Sequence, residues 1–145
     1  MIGLFGTQDF NLELGGDVFY RTTNQKDILK AIDQDIKRTN SRKFQSTSAL
    51  MITFILVPTR DLESRHTLQV TIATDQIQTY AIMNYRQLGL SSGLFGVNDM
   101  LCRRYDLRET NSDTLIKTGY YGQHVMKITP YRNCYLKGKG AFNQD

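Results

Sequence analysis

Two histidines, His66 and His124, and two cysteines, Cys102 and Cys134, have the widest chemical reach of the side chains in this chain of 145 residues. A zinc site needs three or four Cys, His or carboxylate ligands at short, set spacings. Neither histidine forms such a motif, and each starts a strand-like run, where a surface histidine is common. Cys102 and His124 could make a nucleophile and base, and the adjoining Arg103-Arg104 would favour the thiolate. No local motif supports that pairing, and the arginines read more simply as the hydrated edge of a loop. Gly93-Leu94-Phe95-Gly96 lacks the Lys-Ser/Thr of a phosphate-binding loop. The acidic sets Asp9, Glu13, Asp17 and Asp99, Asp106, Glu109 lack the dense spacing that supplies calcium with six to eight oxygens. The residues therefore predict no catalysis, no metal and no cofactor.

What remains is chemistry of contact. Tyr120-Tyr121, between Gly119 and Gly122, reads as a turn carrying aromatics that either face a partner or pack on a sheet. Arg103 and Arg104 are further candidates for partner contact. The formal charge is +4, a mild excess spread along the chain. Its densest points are Lys37-Arg38, Arg42-Lys43 and Arg103-Arg104, which could hold a polyanion. Nucleic-acid binders concentrate their charge and interleave aromatics, so no nucleic-acid partner is expected. Cys102 and Cys134 are either free thiols or one bridge closing a loop of roughly 30 residues, which would stabilise by about 3–4 kcal/mol. No Asn-x-Ser/Thr sequon is present, so N-glycosylation is not expected.

The elements that must position these residues are legible from periodicity. The length suits one domain, and 40% hydrophobic with 22% charged residues is ordinary globular composition. No apolar run approaches the ~20 residues that span a bilayer, so no membrane insertion is expected of this segment. Ile28, Leu29, Ile32 and Ile36 recur at helical spacing in Gln25–Arg38, with Lys30, Asp33, Gln34 and Lys37 on the wet face. Thr23 or Asn24 is the expected cap. Asp17–Thr23 reads as a strand after the Gly15-Gly16 turn, and Ser48–Val57, nearly all apolar, as a central strand covered on both faces. His66–Thr74 alternates and, with Ile77–Tyr85, suggests a hairpin. Thr114–Lys117 and Gln123–Thr129 read as shorter strands. The connections are too short for repeated strand–helix–strand units. The fold class is α+β: a mostly antiparallel sheet or sandwich with one packed helix at about residues 25–39.

Several stretches, in order, resemble the nidogen-like domain of matrix and cell-surface proteins. They are Ile2–Gly6 with Gly15–Thr23, the helix Asp27–Arg38, Ser48–Pro58, the hairpin His66–Tyr85, Gly93–Asp99 and Lys117–Ile128. The hairpin is the most specific, through Thr67, Gln69, Thr74, Asp75, Tyr80, Ala81, Ile82 and Tyr85. The chain departs from the family in having no Trp and in carrying Gln76 where the family has Gly, which predicts a longer loop than a tight two-residue turn.

The resemblance implies an extracellular, secreted or cell-surface, non-catalytic module within a larger mosaic protein. Its implied role is cell–matrix adhesion or matrix and filament assembly, with other matrix or surface proteins, or further copies of itself, as partners. It also implies a Cys102–Cys134 disulfide, because the compartment is oxidising. Residues 1–136 are expected to be the domain, incomplete at its start, and residues 137–145 a linker or tail. Met1–Leu4 has no basic lead-in or cleavage site of a signal peptide, which taken alone favours the cytoplasm and loses that force if the chain is a piece of a longer protein. Two other functions fit the residues alone. One is a cytoplasmic α+β enzyme or small-ligand domain using Cys102 and His124. The other is a heparin-like polyanion binder using Lys37, Arg38, Arg42, Lys43, Arg103 and Arg104.

Overall fold

The computed structural model describes residues 2–4, 10–38, 43–58, 65–88, 92–99, 104–105, 108–111 and 122–128. Its elements are β1 (Ile2–Leu4), a 3-10 turn (Leu12–Leu14), β2 (Asp17–Thr23), α1 (Lys26–Lys37), β3 (Ser48–Pro58), β4 (Arg65–Thr74), β5 (Thr79–Gln87), β6 (Ser92–Asp99), β7 (Arg104–Tyr105), β8 (Arg108–Asn111) and β9 (Gln123–Lys127). Five strands form an antiparallel sheet in the order β2-β3-β4-β5-β9. In a second sheet β6 pairs with β1, β7 and β8. With its one α-helix this is an α+β, mostly β fold.

The five-stranded sheet has a core on each face. Leu29, Ile32 and Ile36, spaced one turn apart, bury the inner stripe of α1 against Ala49, Ala73, Tyr80 and Ile82, with Phe44 closing one end. Phe44 meets the Tyr80 ring edge-on at 4.8 Å. Leu68, Val70, Met83 and Tyr85 form the other core, with Phe10, Phe54, Ile72, Leu88 and Met126 packed around them. Both β4 and β5 are thus covered twice, and Tyr80–Met83 is buried without interruption. The expectation for Ser48–Val57 needs correction. The strand lies inside the sheet, but Leu50–Phe54 are half-buried and Ile55 and Leu56 exposed. Its neighbour β2 has six exposed residues and one half-buried, and so gives little cover.

Two local devices differ from the sequence reading. Asp33 is not on the wet face: it is buried, and its Oδ1 accepts from the Ser46 backbone N–H (2.9 Å) and hydroxyl (2.7 Å). Residues before β3 are thereby held on the helix. At the start of α1, Gln25 occupies the cap position without a side-chain bond, while Thr23 Oγ1 accepts from the Gln25 N–H at 3.2 Å.

The hairpin joining β4 to β5 carries the expected longer loop. Asp75 N–H donates to the Gln78 carbonyl at 3.1 Å, and Asp75 Oδ1 accepts from the backbone N–H groups of Ile77 and Gln78. This carboxylate turn delays β5 to Thr79, two residues later than the alternation suggests. Gln76 sits there at φ 74°, a left-handed backbone in the position where the family has glycine.

Candidate functional site

Large apolar side chains belong inside, so their exposure in a group marks a surface with a use. Among the described residues, eight large hydrophobics are exposed. Ile77, in the β4–β5 turn, stands apart from the rest. The other seven come from the 3-10 turn, β2 and the last residues of β3, which form one end of the sheet's β2 edge. Asp17 pairs with Ile55 and Val18 with Phe54, so the start of β2 lies beside the end of β3. The Asn11 N–H donates to the Pro58 carbonyl at 3.0 Å and fixes the 3-10 turn, with exposed Leu12 and Leu14, at the same end. On β2 itself Phe19 is 57% and Tyr20 80% exposed, on opposite faces of the strand. Among the described residues no strand pairs with the outer side of β2.

The backbone is shaped to bring this surface together. Gly16 has φ 81°, and a Cβ there would lie 2.7 Å from the Val57 Cα, so only glycine lets β2 begin this close to β3. The β3–β4 register shifts between Phe54 and Val57. Leu56, inside that irregularity, has φ 50°. Its N–H donates to Thr67 Oγ1 at 3.2 Å, and its carbonyl accepts from Arg65 Nη1 at 3.1 Å. A left-handed leucine costs about 1–2 kcal/mol that glycine would avoid. Here it holds a 45% exposed isobutyl group outward, so neither folding ease nor burial accounts for the residue. Beside it opens a groove of about 540 Å³, lined by Ile55 and Leu56 and by the polar groups of Thr53, Gln69 and Asn84. Gln69 Nε2 donates to Thr53 Oγ1 at 2.9 Å, which sets the groove's floor.

The second notable surface is cationic. Lys26, Lys30 and Lys37 from α1 and Lys43 from the following loop line one cavity of about 860 Å³. All four are exposed. Asp33 lies in the same cavity but is committed to Ser46. Phe44 is buried beneath, offering no open aromatic face. Of the polyanion candidates, then, the fold gathers Lys37 and Lys43 and adds Lys26 and Lys30, which lie a helical repeat away. Arg38 turns aside to Asp35, at 2.9 Å in a solvent-exposed pair.

His66 is not at the surface. It is fully buried where β4 meets the end of β3, with the Phe10 ring 4.8 Å away. His124 is half-buried on β9, and the Tyr85 ring meets it edge-on at 5.9 Å. Burial pushes the Tyr85 phenol well above its ordinary range. Among the described residues no group of three or more His, Cys, Asp or Glu is arranged to hold a metal. Arg104 lies in β7, its backbone opposite Asp99. Cys102, Cys134, Arg42, Arg103, Tyr120 and Tyr121, and the strand expected at Thr114–Lys117, lie outside the described residues. Sequence reading missed the β2–β3 surface because Val18, Phe19 and Tyr20 have the composition of any strand. One signal was present: the run alternates no polar residue between them.

Among the described residues no helix is long and apolar enough to cross a membrane. No significant match is found among curated proteins or among solved structures. The family profile of the nidogen-like domain matches residues 1–138. That span takes in both sheets, the helix and the exposed edge, and the chain belongs to the nidogen-like domain family.

Proposed function

We propose that this chain is an extracellular, non-catalytic interaction module that serves cell–matrix adhesion or matrix assembly through the β2 edge. Nidogen-like domains occur in extracellular proteins, which supports the setting. The observation that carries the reading is the concentration of exposed apolar side chains along one sheet edge, the left-handed Leu56 among them. Such a surface gains by covering apolar area and by pairing backbone groups along β2. In the same oxidising setting Cys102 and Cys134 pair with each other, and Tyr120, Tyr121, Arg103 and Arg104 add contacts around the partner.

The test is deposition. The intact parent protein is expressed in adherent cells as wild type and as Tyr20→Asp, which changes only an 80% exposed side chain. Both forms reach the medium, and the wild type enters the detergent-insoluble matrix while the variant stays soluble. Retention of the wild type inside the cell would end the extracellular reading. Equal deposition of the two would end the role of the edge.

A second reading is favoured by the four lysines around one cavity, which suit a sulfated polysaccharide better than a nucleic acid because the one aromatic among the described lining residues, Phe44, is buried. Heparin retention that falls steeply between low and physiological salt, and is lost on Lys30→Glu with Lys37→Glu, supports it. Salt-independent retention removes it.

A further inference from the structure

An open sheet edge is usually blunted by lysine, proline, a bulge or brevity. β2 has none of these: it runs seven residues, Asp17–Thr23, in unbroken register with β3. Its two charges, Asp17 and Arg21, are both exposed and lie at equal distances on either side of Phe19. That spacing is self-complementary. We propose that two copies of this chain pair antiparallel through β2, about a two-fold axis at Phe19, and join their five-stranded sheets into one. In that register Asp17 faces the partner's Arg21, and Arg21 the partner's Asp17. Val18 faces the partner's Tyr20, and the two Phe19 rings meet on the axis.

The alternatives are worse. Parallel in-register pairing sets Asp17 against the partner's Asp17 and Arg21 against the partner's Arg21, two like-charge contacts. An antiparallel slip by one residue brings Asp17 opposite the partner's Tyr20 and loses both ion pairs. Asp17, Phe19 and Arg21 share one face of the strand, so the charges flank the aromatic contact and shield it at both ends. A strand from an unrelated protein would bury the same apolar surface but would not account for opposite charges placed symmetrically about its centre.

A single strand pair is expected to cover less than the ~800 Å² per partner of a standard stable interface. The dimer is therefore concentration-dependent, and gains strength where copies are displayed close together. The proposal rests on the reading of this edge as an interaction surface, and names what occupies it.

Sedimentation equilibrium of the purified chain tests it. The wild type shifts from monomer to dimer across the micromolar range. Asp17→Arg alone and Arg21→Asp alone each weaken dimerisation by about tenfold or more, because both pairs become repulsive. Mixing the two single variants restores dimers, since every position 17 then meets an opposite charge at position 21. The double variant, carrying both exchanges, dimerises like the wild type. Absence of rescue on mixing, or a wild type that stays monomeric throughout, overturns the two-fold pairing. If the wild type is monomeric while Tyr20→Asp still abolishes matrix deposition, the edge binds another protein: the interaction surface stands and this proposal falls.

Discussion

A phenol rests easily in a protein interior only while it keeps its proton. Tyr85 is 5% exposed, and burial raises its pKa above the ordinary 10.0. Below about pH 10 both folded and unfolded chains hold the proton, so Tyr85 adds no pH dependence there. Above that the unfolded chain loses its proton first and the folded chain resists. Stability then falls with rising pH by up to about 1.4 kcal/mol per unit. Urea unfolding between pH 8 and pH 11 will show this alkaline loss in the wild type and a flatter profile in Tyr85→Phe. Gln76 makes a different residue-scale case. Its left-handed backbone is strained for any side chain with a Cβ, so Gln76→Gly is expected to stabilise by about 0.5–1 kcal/mol, read as a raised denaturation midpoint. The missing family glycine was legible before any coordinates and predicted a longer loop; the left-handed φ at Gln76 comes from the structure.

At the scale of elements, the helix and the strands of the large sheet could be read because their apolar spacing is regular. Ile28, Leu29, Ile32 and Ile36 announce a helix, and Leu68, Val70 and Ile72 a strand, without reference to anything distant. The small sheet could not be read this way. β6 carries Gly93 and Gly96, and Gly96 pairs with Gly3, so the stretch offers no alternating side chains to recognise. Asp33 was misread for a related reason. Its place on the helix looked wet, and only the Ser46 loop, thirteen positions on, makes burial of the carboxylate tolerable. Two hydrogen bonds from one serine to one buried carboxylate make a clamp between α1 and the approach to β3. Ser46→Ala removes the hydroxyl donor and leaves the charge with one bond fewer. A loss of about 1–3 kcal/mol is expected, measurable by chemical denaturation. Ser46→Thr, which keeps the hydroxyl, recovers part of it.

The whole molecule sets what no single element could reveal. Which strand ends at an edge depends on sheet order, which the sequence of β2 does not announce by itself. Only the order β2-β3-β4-β5-β9 makes Phe19 and Tyr20 an outward surface rather than a core. The same order has a consequence for how the chain is made. The strand neighbouring β5 on its other side is β9, which arrives after all of β6, β7 and β8. Gln123 then fastens it through Nε2 to Asp35 on the helix and to Asn84 on β5, each at 3.0 Å. During synthesis, therefore, β5 emerges long before its last partner, and the buried run Tyr80–Met83 waits with one side of its backbone unpaired. A nascent chain halted after Leu88 has the buried strand β5 as a sheet margin in place of the half-buried β9. It should be recovered with holding chaperones or in aggregates, whereas one extended through Ile128 should sediment as a folded species.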